Sequence, residues 1–189
     1  MEKVLIVFDF DGTLVDSATQ FKEAIEDFYK QTLNNKNCTE EIKKNIVKNY
    51  GLRGNYDYGI TISGKEITQK QQGKIVNDII KYIDALRIDE NKPLKFKFFD
   101  GIKNLLEDLR KKYSNICDFA ICSGSNQKNV RIALQENYLQ DFFVAVVSET
   151  AEIKKPNPEL MYQTIKEATE NSQNDYKKIY KKIIMVGDT

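Results

Sequence analysis

The sequence predicts an α/β protein, a doubly wound parallel sheet with a helical segment inserted into it. Short apolar runs, Val4–Phe8 (VLIVF), Asp118–Cys122 (DFAIC), Phe142–Val147 (FFVAVV) and Ile183–Val186, alternate with helical periods in the second half of the chain. Strands buried on both faces and joined by helices read this way. Between about residues 15 and 94 the apolar spacing is helical, with no parallel-strand candidate. Chemistry-bearing side chains follow directly after the apolar runs, where an open α/β sheet holds its ligand.

Each element has its own signal. Val4–Phe8 is unbroken and rich in branched residues, as a central strand is. Ser17 can cap a helix running to about Leu33, with Phe21, Ala24, Ile25 and Phe28 on one face. Thr39 caps a second helix carrying Ile42, Ile46 and Val47. Gly51, Gly54, Gly59 and Gly64 break any period, so residues 51–64 read as an irregular loop. A helix over Glu66–Arg87 is marked by Ile75, Ile79, Ile80, Ile83 and Leu86, and Lys92-Pro93 closes the insertion. Helices over Ile102–Lys112, Gln127–Asn137 and Glu159–Ala168 then alternate with the remaining strands, and a polar linker over Asn171–Lys182 precedes the last. The expected organisation is a discontinuous core, residues 1–14 and 95–189, with a helical cap over residues 15–94.

Composition narrows the chemistry. The 189 residues are 41% hydrophobic and 30% charged, with net charge +1. That balance gives no argument for nucleic-acid or membrane binding, and no apolar run approaches a membrane span. Cys38, Cys117 and Cys122 form no Cys-x-x-Cys pair and suit reduced thiols, so a cytoplasmic location is expected. The chain has no histidine. Ser-His and Cys-His triads and zinc–histidine sites are therefore excluded, and the chemistry must rest on carboxylates, lysine, hydroxyls and a metal.

The first candidate site is the turn after Val4–Phe8, where Asp9 and Asp11 stand one residue apart and Gly12 allows a sharp bend. Residues i and i+2 of an extended chain point the same way, so both acids can face one point, and Mg²⁺ with a phosphate is the natural guest. An EF-hand loop is excluded, because Gly12 comes too early and a strand precedes it. Ser123 and Gly124 follow the second strand, where a hydroxyl and a free amide before a helix can seat a phosphate. Cys122 with Lys128 does not make a Cys-x5-Arg phosphatase loop, since the cysteine lies within the strand pattern. Lys155, held extended by Pro156, can neutralise Asp9 and a phosphate oxygen together. Asp188 ends the last strand in Met185-Val186-Gly187-Asp188.

These segments, DFDGTLVDS, ICSGS, KKPNP and MVGDT in that order, resemble the four motifs of the haloacid-dehalogenase-like superfamily. The resemblance is to the phosphoglycolate phosphatase and β-phosphoglucomutase-like branch, which inserts a helical cap after the first motif. It implies a Rossmann-like core and a Mg²⁺-dependent phosphatase acting on a small phosphomonoester through an aspartyl-phosphate. Asp9 would be the nucleophile, Asp11 the acid and base, Ser123, Gly124 and Lys155 the phosphoryl binders, and Asp9, Asp11 and Asp188 the metal ligands. A small phosphorylated metabolite is the expected partner, and the oligomeric state is open. A sugar-phosphate mutase is the alternative within the fold. The family pattern continues beyond the last motif with a second acid and another strand, so the chain reads as C-terminally incomplete, or as a non-catalytic binding protein if the native chain ends at Thr189. In the cap loop, Arg53 is a candidate for gripping a substrate's distal anionic group.

Overall fold

The computed structural model describes residues 3–32, 38–49, 57–62, 65–87, 95–150, 152–170 and 180–187. In chain order the elements are β1 (Lys3–Phe8), α1 (Ser17–Thr32), α2 (Glu40–Asn49), β2 (Thr61–Ile62), β3 (Lys65–Glu66), α3 (Gln69–Arg87), α4 (Ile102–Tyr113), β4 (Cys117–Ser123), α5 (Gln127–Glu136), β5 (Ala145–Ser148), α6 (Glu159–Thr169) and β6 (Tyr180–Val186). They fall into two compact units, residues 1–16 with 95–189, and residues 17–94.

In the first unit four strands lie in the order β5-β4-β1-β6, all paired in parallel. Alternation along the strands explains why their sequences are apolar throughout. Leu5 and Val7 of β1, and Ala120 and Cys122 of β4, enter one core cluster with Leu160 and Ile165 of α6. Phe8, Phe119 and Ile121 enter the other, with Leu106 of α4 and Val130, Ala133 and Leu134 of α5. Successive side chains point to opposite faces, and helices cover both along β1 and β4, so both register positions in the middle of these strands are apolar. Phe142 and Phe143, expected as strand, lie instead in the turn before β5. Their rings pack in the core, Phe142 on Phe119 at 5.0 Å, and the Val144 amide donates to the Phe119 carbonyl at 2.8 Å. Packing of the aromatic pair there outweighs strand propensity.

The chain leaves and re-enters this unit side by side. Val15 bridges Phe98 antiparallel, the Asp16 amide donates to the Lys97 carbonyl at 2.8 Å, and the Phe99 amide donates to the Leu14 carbonyl at 3.1 Å. That clasp lets residues 17–94 be inserted without disturbing the sheet.

The second unit packs α1, α2 and α3 around Ile25, Tyr29, Ile46 and Ile79, none of which is exposed. Thr39 Oγ1 accepts the Ile42 amide at 3.2 Å, the expected cap. The third helix starts at Gln69 rather than Glu66, because Lys65 and Glu66 pair with Ile62 and Thr61 as an antiparallel ribbon. Thr68 and Gln71 then form a capping box: Thr68 Oγ1 accepts the Gln71 amide at 3.4 Å and Gln71 Oε1 accepts the Thr68 amide at 3.0 Å. Buried Gln72 organises the incoming chain, with Oε1 accepting the Tyr58 amide at 2.7 Å and Nε2 donating to the Ile67 carbonyl at 3.1 Å. Arg53 lies outside the described residues. Among the described residues no helix is long and apolar enough to cross a membrane.

Lys43 joins α1 to α2, donating to Glu26 at 2.9 Å and to Glu40 at 2.6 Å. Hydrogen bonds from Lys30 and Lys43 hold the Glu26 carboxyl at about 2, below its ordinary 4.5. A depressed carboxyl contributes stability that is present above the unfolded value and lost as pH falls through the folded one. Glu26→Gln should therefore lower the melting temperature at neutral pH, and the gap to the unaltered protein should close as pH falls from 4.5 towards 2. Parallel melts across that range check it, and a gap independent of pH would count against the ion pair.

Candidate active site

The site forms because three strand ends meet at the carboxyl edge of the sheet. β1 ends at Phe8 in the middle of the sheet, and the Asp9 amide still reaches the Val186 carbonyl of β6 at 2.8 Å. The chain then bends. The Leu14 and Val15 amides both return to the Phe10 carbonyl, at 2.9 and 3.1 Å, and Gly12 takes φ 74°. Buried Phe10 anchors this turn in the core beneath it, edge-on to Phe96 and Phe98.

Asp9 is largely enclosed. Its Oδ1 accepts the Phe10 amide at 2.7 Å and the Lys155 ammonium at 2.8 Å. Both contacts fall on the same oxygen, and among the described residues Oδ2 accepts no hydrogen bond. The Lys155 side chain keeps 33% of its surface exposed while its amine holds Asp9. Lys155 precedes a cis peptide bond to Pro156.

Asp11 is met from the second strand end. Ser125 Oγ donates to Asp11 Oδ2 at 2.5 Å. Ser125 is itself fixed by Ser123, whose Oγ accepts the Ser125 amide at 2.9 Å. Ser123 is fully buried as the last residue of β4, while Gly124 is exposed. Helix α5 is capped by Asn126, whose Oδ1 accepts the Lys128 amide at 2.9 Å. Ser123 is therefore part of the strand and its turn, and the positive end of α5 lies behind the Gly124–Asn126 corner.

The structure thus joins Asp9 to Lys155, and Asp11 to the Ser123–Ser125 turn. Asp188 lies outside the described residues, and among those residues no group of three acids, cysteines or histidines is assembled for a metal. Two residues without a sequence-derived role belong to the site, Ser125 and Glu149. Glu149 Oε1 accepts the Lys155 amide at 2.6 Å. An acid directly after a strand marks Asp9 in the sequence, and Glu149 stands likewise directly after β5, with Ser148 between it and the apolar run. Cys122 is buried in β4, and burial pushes its thiol up, which is the opposite of what a nucleophilic cysteine needs.

The core is a parallel α/β sheet that carries an aspartate–lysine pair at the end of its interior strand β1. The chain belongs to the haloacid dehalogenase-like hydrolase family, whose pattern matches residues 6–189, and it is an enzyme of that family. No curated protein matches the sequence. Solved structures do resemble it. A haloacid dehalogenase-like family hydrolase from Streptococcus pneumoniae superposes with TM-score 0.65 at 20% identity, over 99% of this chain and 76% of that one. A predicted phosphoglycolate phosphatase from Haemophilus somnus gives TM-score 0.65 at 19% identity, over 100% and 78%. CbbY from Rhodobacter sphaeroides, in complex with xylulose 1,5-bisphosphate, gives 0.51 at 13%, over 88% and 72%. At these identities the likeness concerns the fold.

The two site glycines differ. Gly12 sits at φ 74°, where a side chain costs about 1–2 kcal/mol. A Cβ on Gly124 would meet only Glu149, at 3.5 Å, an ordinary contact. Urea unfolding should show Gly12→Ala destabilised by about 1–2 kcal/mol and Gly124→Ala close to the unaltered protein. Equal losses would contradict the turn geometry.

Proposed function

We propose that the protein is a Mg²⁺-dependent phosphatase that hydrolyses a small phosphomonoester through an aspartyl-phosphate on Asp9. The observation that carries this reading is the grip of Lys155 and the Phe10 amide on one oxygen of Asp9. It leaves Oδ2 as an anionic nucleophile of fixed direction, beside a cation able to meet a phosphoryl oxygen.

Asp9 Oδ2 attacks phosphorus as the ester oxygen leaves. Asp11, steered by the Ser125 hydroxyl, gives that oxygen a proton and later takes one from the water that cleaves the acyl phosphate. The exposed Gly124 amide, the Lys155 ammonium and the hydroxyl proton of Ser123 hold the remaining phosphoryl oxygens against the dipole of α5. The donor set suits the metal, for Asp9 and Asp11 are hard oxygen donors and no histidine is available to favour zinc. The Asp9 carboxylate, the Asp11 carbonyl and Asp188 would hold Mg²⁺, which when bound offsets charge on the transferring group. The unit over residues 17–94, inserted straight after the first motif, corresponds in this reading to the helical cap. The phosphorylated ligand named for CbbY supports a small phosphorylated metabolite as substrate. A mutase would use the same residues and would show itself by requiring a bisphosphate activator.

Asp9→Asn keeps the shape of the side chain and removes the attacking charge. Hydrolysis of an aryl phosphate by this variant should fall to the level of buffer, and excess chelator should silence the unaltered protein until Mg²⁺ is restored. Turnover by Asp9→Asn, or full activity in chelator, would refute the mechanism.

A further inference from the structure

Lys155 reaches Asp9 from a loop, and a loop alone places an amine poorly. The loop between β5 and α6 is nevertheless closely tied. Thr150 Oγ1 accepts the Ile153 amide at 3.0 Å, and the Thr150 amide donates to the Ile153 carbonyl at 2.9 Å, which folds the chain back on itself. That return brings the Lys155 amide to Glu149 Oε1 at 2.6 Å. Glu149 is in turn fixed to the neighbouring strand, because its own amide donates to the Ser123 carbonyl at 3.0 Å. Its carboxylate oxygen also lies 3.5 Å from where a Gly124 side chain would begin. One half-buried carboxylate therefore spans the loop of Lys155 and the corner that carries Gly124. On the far side, Asn157 Oδ1 accepts the Glu159 amide at 2.9 Å and anchors the segment to α6.

We infer that Glu149 is a positioning residue for Lys155: its carboxylate grips the Lys155 backbone amide and thereby sets the reach of the amine to Asp9. Its consequence for turnover rests on the phosphoryl-transfer reading above, whereas its effect on the lysine does not. A charge-assisted hydrogen bond to a backbone amide is short and directional. An aspartate at this position would keep the charge but fall one methylene short. A glutamine would keep the length and an accepting oxygen, with a weaker bond.

The test is competitive labelling of lysine amines with limiting acetic anhydride, read by peptide mass spectrometry, on the full chain and its folded variants. Lys155 should label slowly in the unaltered protein because its amine is held by Asp9. Glu149→Ala and Glu149→Asp should raise that rate several-fold, and Glu149→Gln should stay nearer the unaltered protein. Unchanged labelling in folded Glu149→Asp, or Gln behaving like Ala while Asp behaves like the unaltered protein, would overturn the inference in favour of a purely electrostatic role. Kinetics on an aryl phosphate give a second arm. Glu149→Asp should lower kcat/KM by about 10-fold, the lower end of the loss when the outer partner of a metal ligand is removed, and should add nothing in a Lys155→Ala background. A further multiplicative loss in the double variant would show that Glu149 does not act through Lys155. Absence of hydrolysis by the unaltered protein would sink the phosphatase reading and leave the labelling to decide the role of Glu149.

Discussion

The contact between Lys155 and Asp9 is the constraint on which the active edge of the sheet depends. A polar side chain that is only 13% exposed at the end of a central strand needs a partner there. Its partner comes from the loop after β5, two strands away in the order β5-β4-β1-β6. To bring the two together, β1, β4 and β5 must align in parallel with their carboxyl ends level. The observed registers, Phe8 beside Ile121 and Ser123 beside Ser148, do this. The apolar packing on both faces of the sheet is thus what sets the geometry of a polar pair at its edge.

The same constraint explains the division of labour between the two units. The core unit carries every described site residue, and β1, β4 and β5, which present those residues, are held in register by burial on both faces. The inserted unit has its own apolar centre around Ile25, Tyr29, Ile46 and Ile79 and its own ion pairs through Lys43. The antiparallel clasp of Leu14–Asp16 with Lys97–Phe99 keeps the two crossings of the chain together. Sequence in the insertion can therefore vary without moving Asp9.

Much of this was legible in the sequence because strong patterns survive packing. The VLIVF run, the DFAIC run and the helical spacing of Phe21, Ala24, Ile25 and Phe28 each lead to the element observed, since burial on both faces or on one stripe leaves little choice of residue. The Thr39 cap was readable for the same reason: a hydroxyl just before an apolar period has a local partner. The misplacements arise where long-range contacts override local preference. Phe142 and Phe143 have strand character but are taken by the core, and Glu66 is drawn out of its helix by pairing with Thr61. The roles of Ser125 and Glu149 are not legible in the sequence, because they depend on partners far away or across a loop closure, Asp11 for one and the Lys155 amide for the other. Asp9 and Lys155 stand in separate motifs far apart in the sequence, and only the fold brings them to 2.8 Å.

The account stands or falls on the identity of the nucleophile. The most direct measurement is to mix enzyme, Mg²⁺ and an aryl phosphate, quench rapidly into borohydride, and map the reduced residue by peptide sequencing in a mass spectrometer. An acyl phosphate on an aspartate is reduced to homoserine, whereas a free carboxylate is untouched. The account predicts homoserine at position 9 alone, and only when substrate is present. Substrate turnover with position 9 unreduced, or reduction at a different acid, would contradict it.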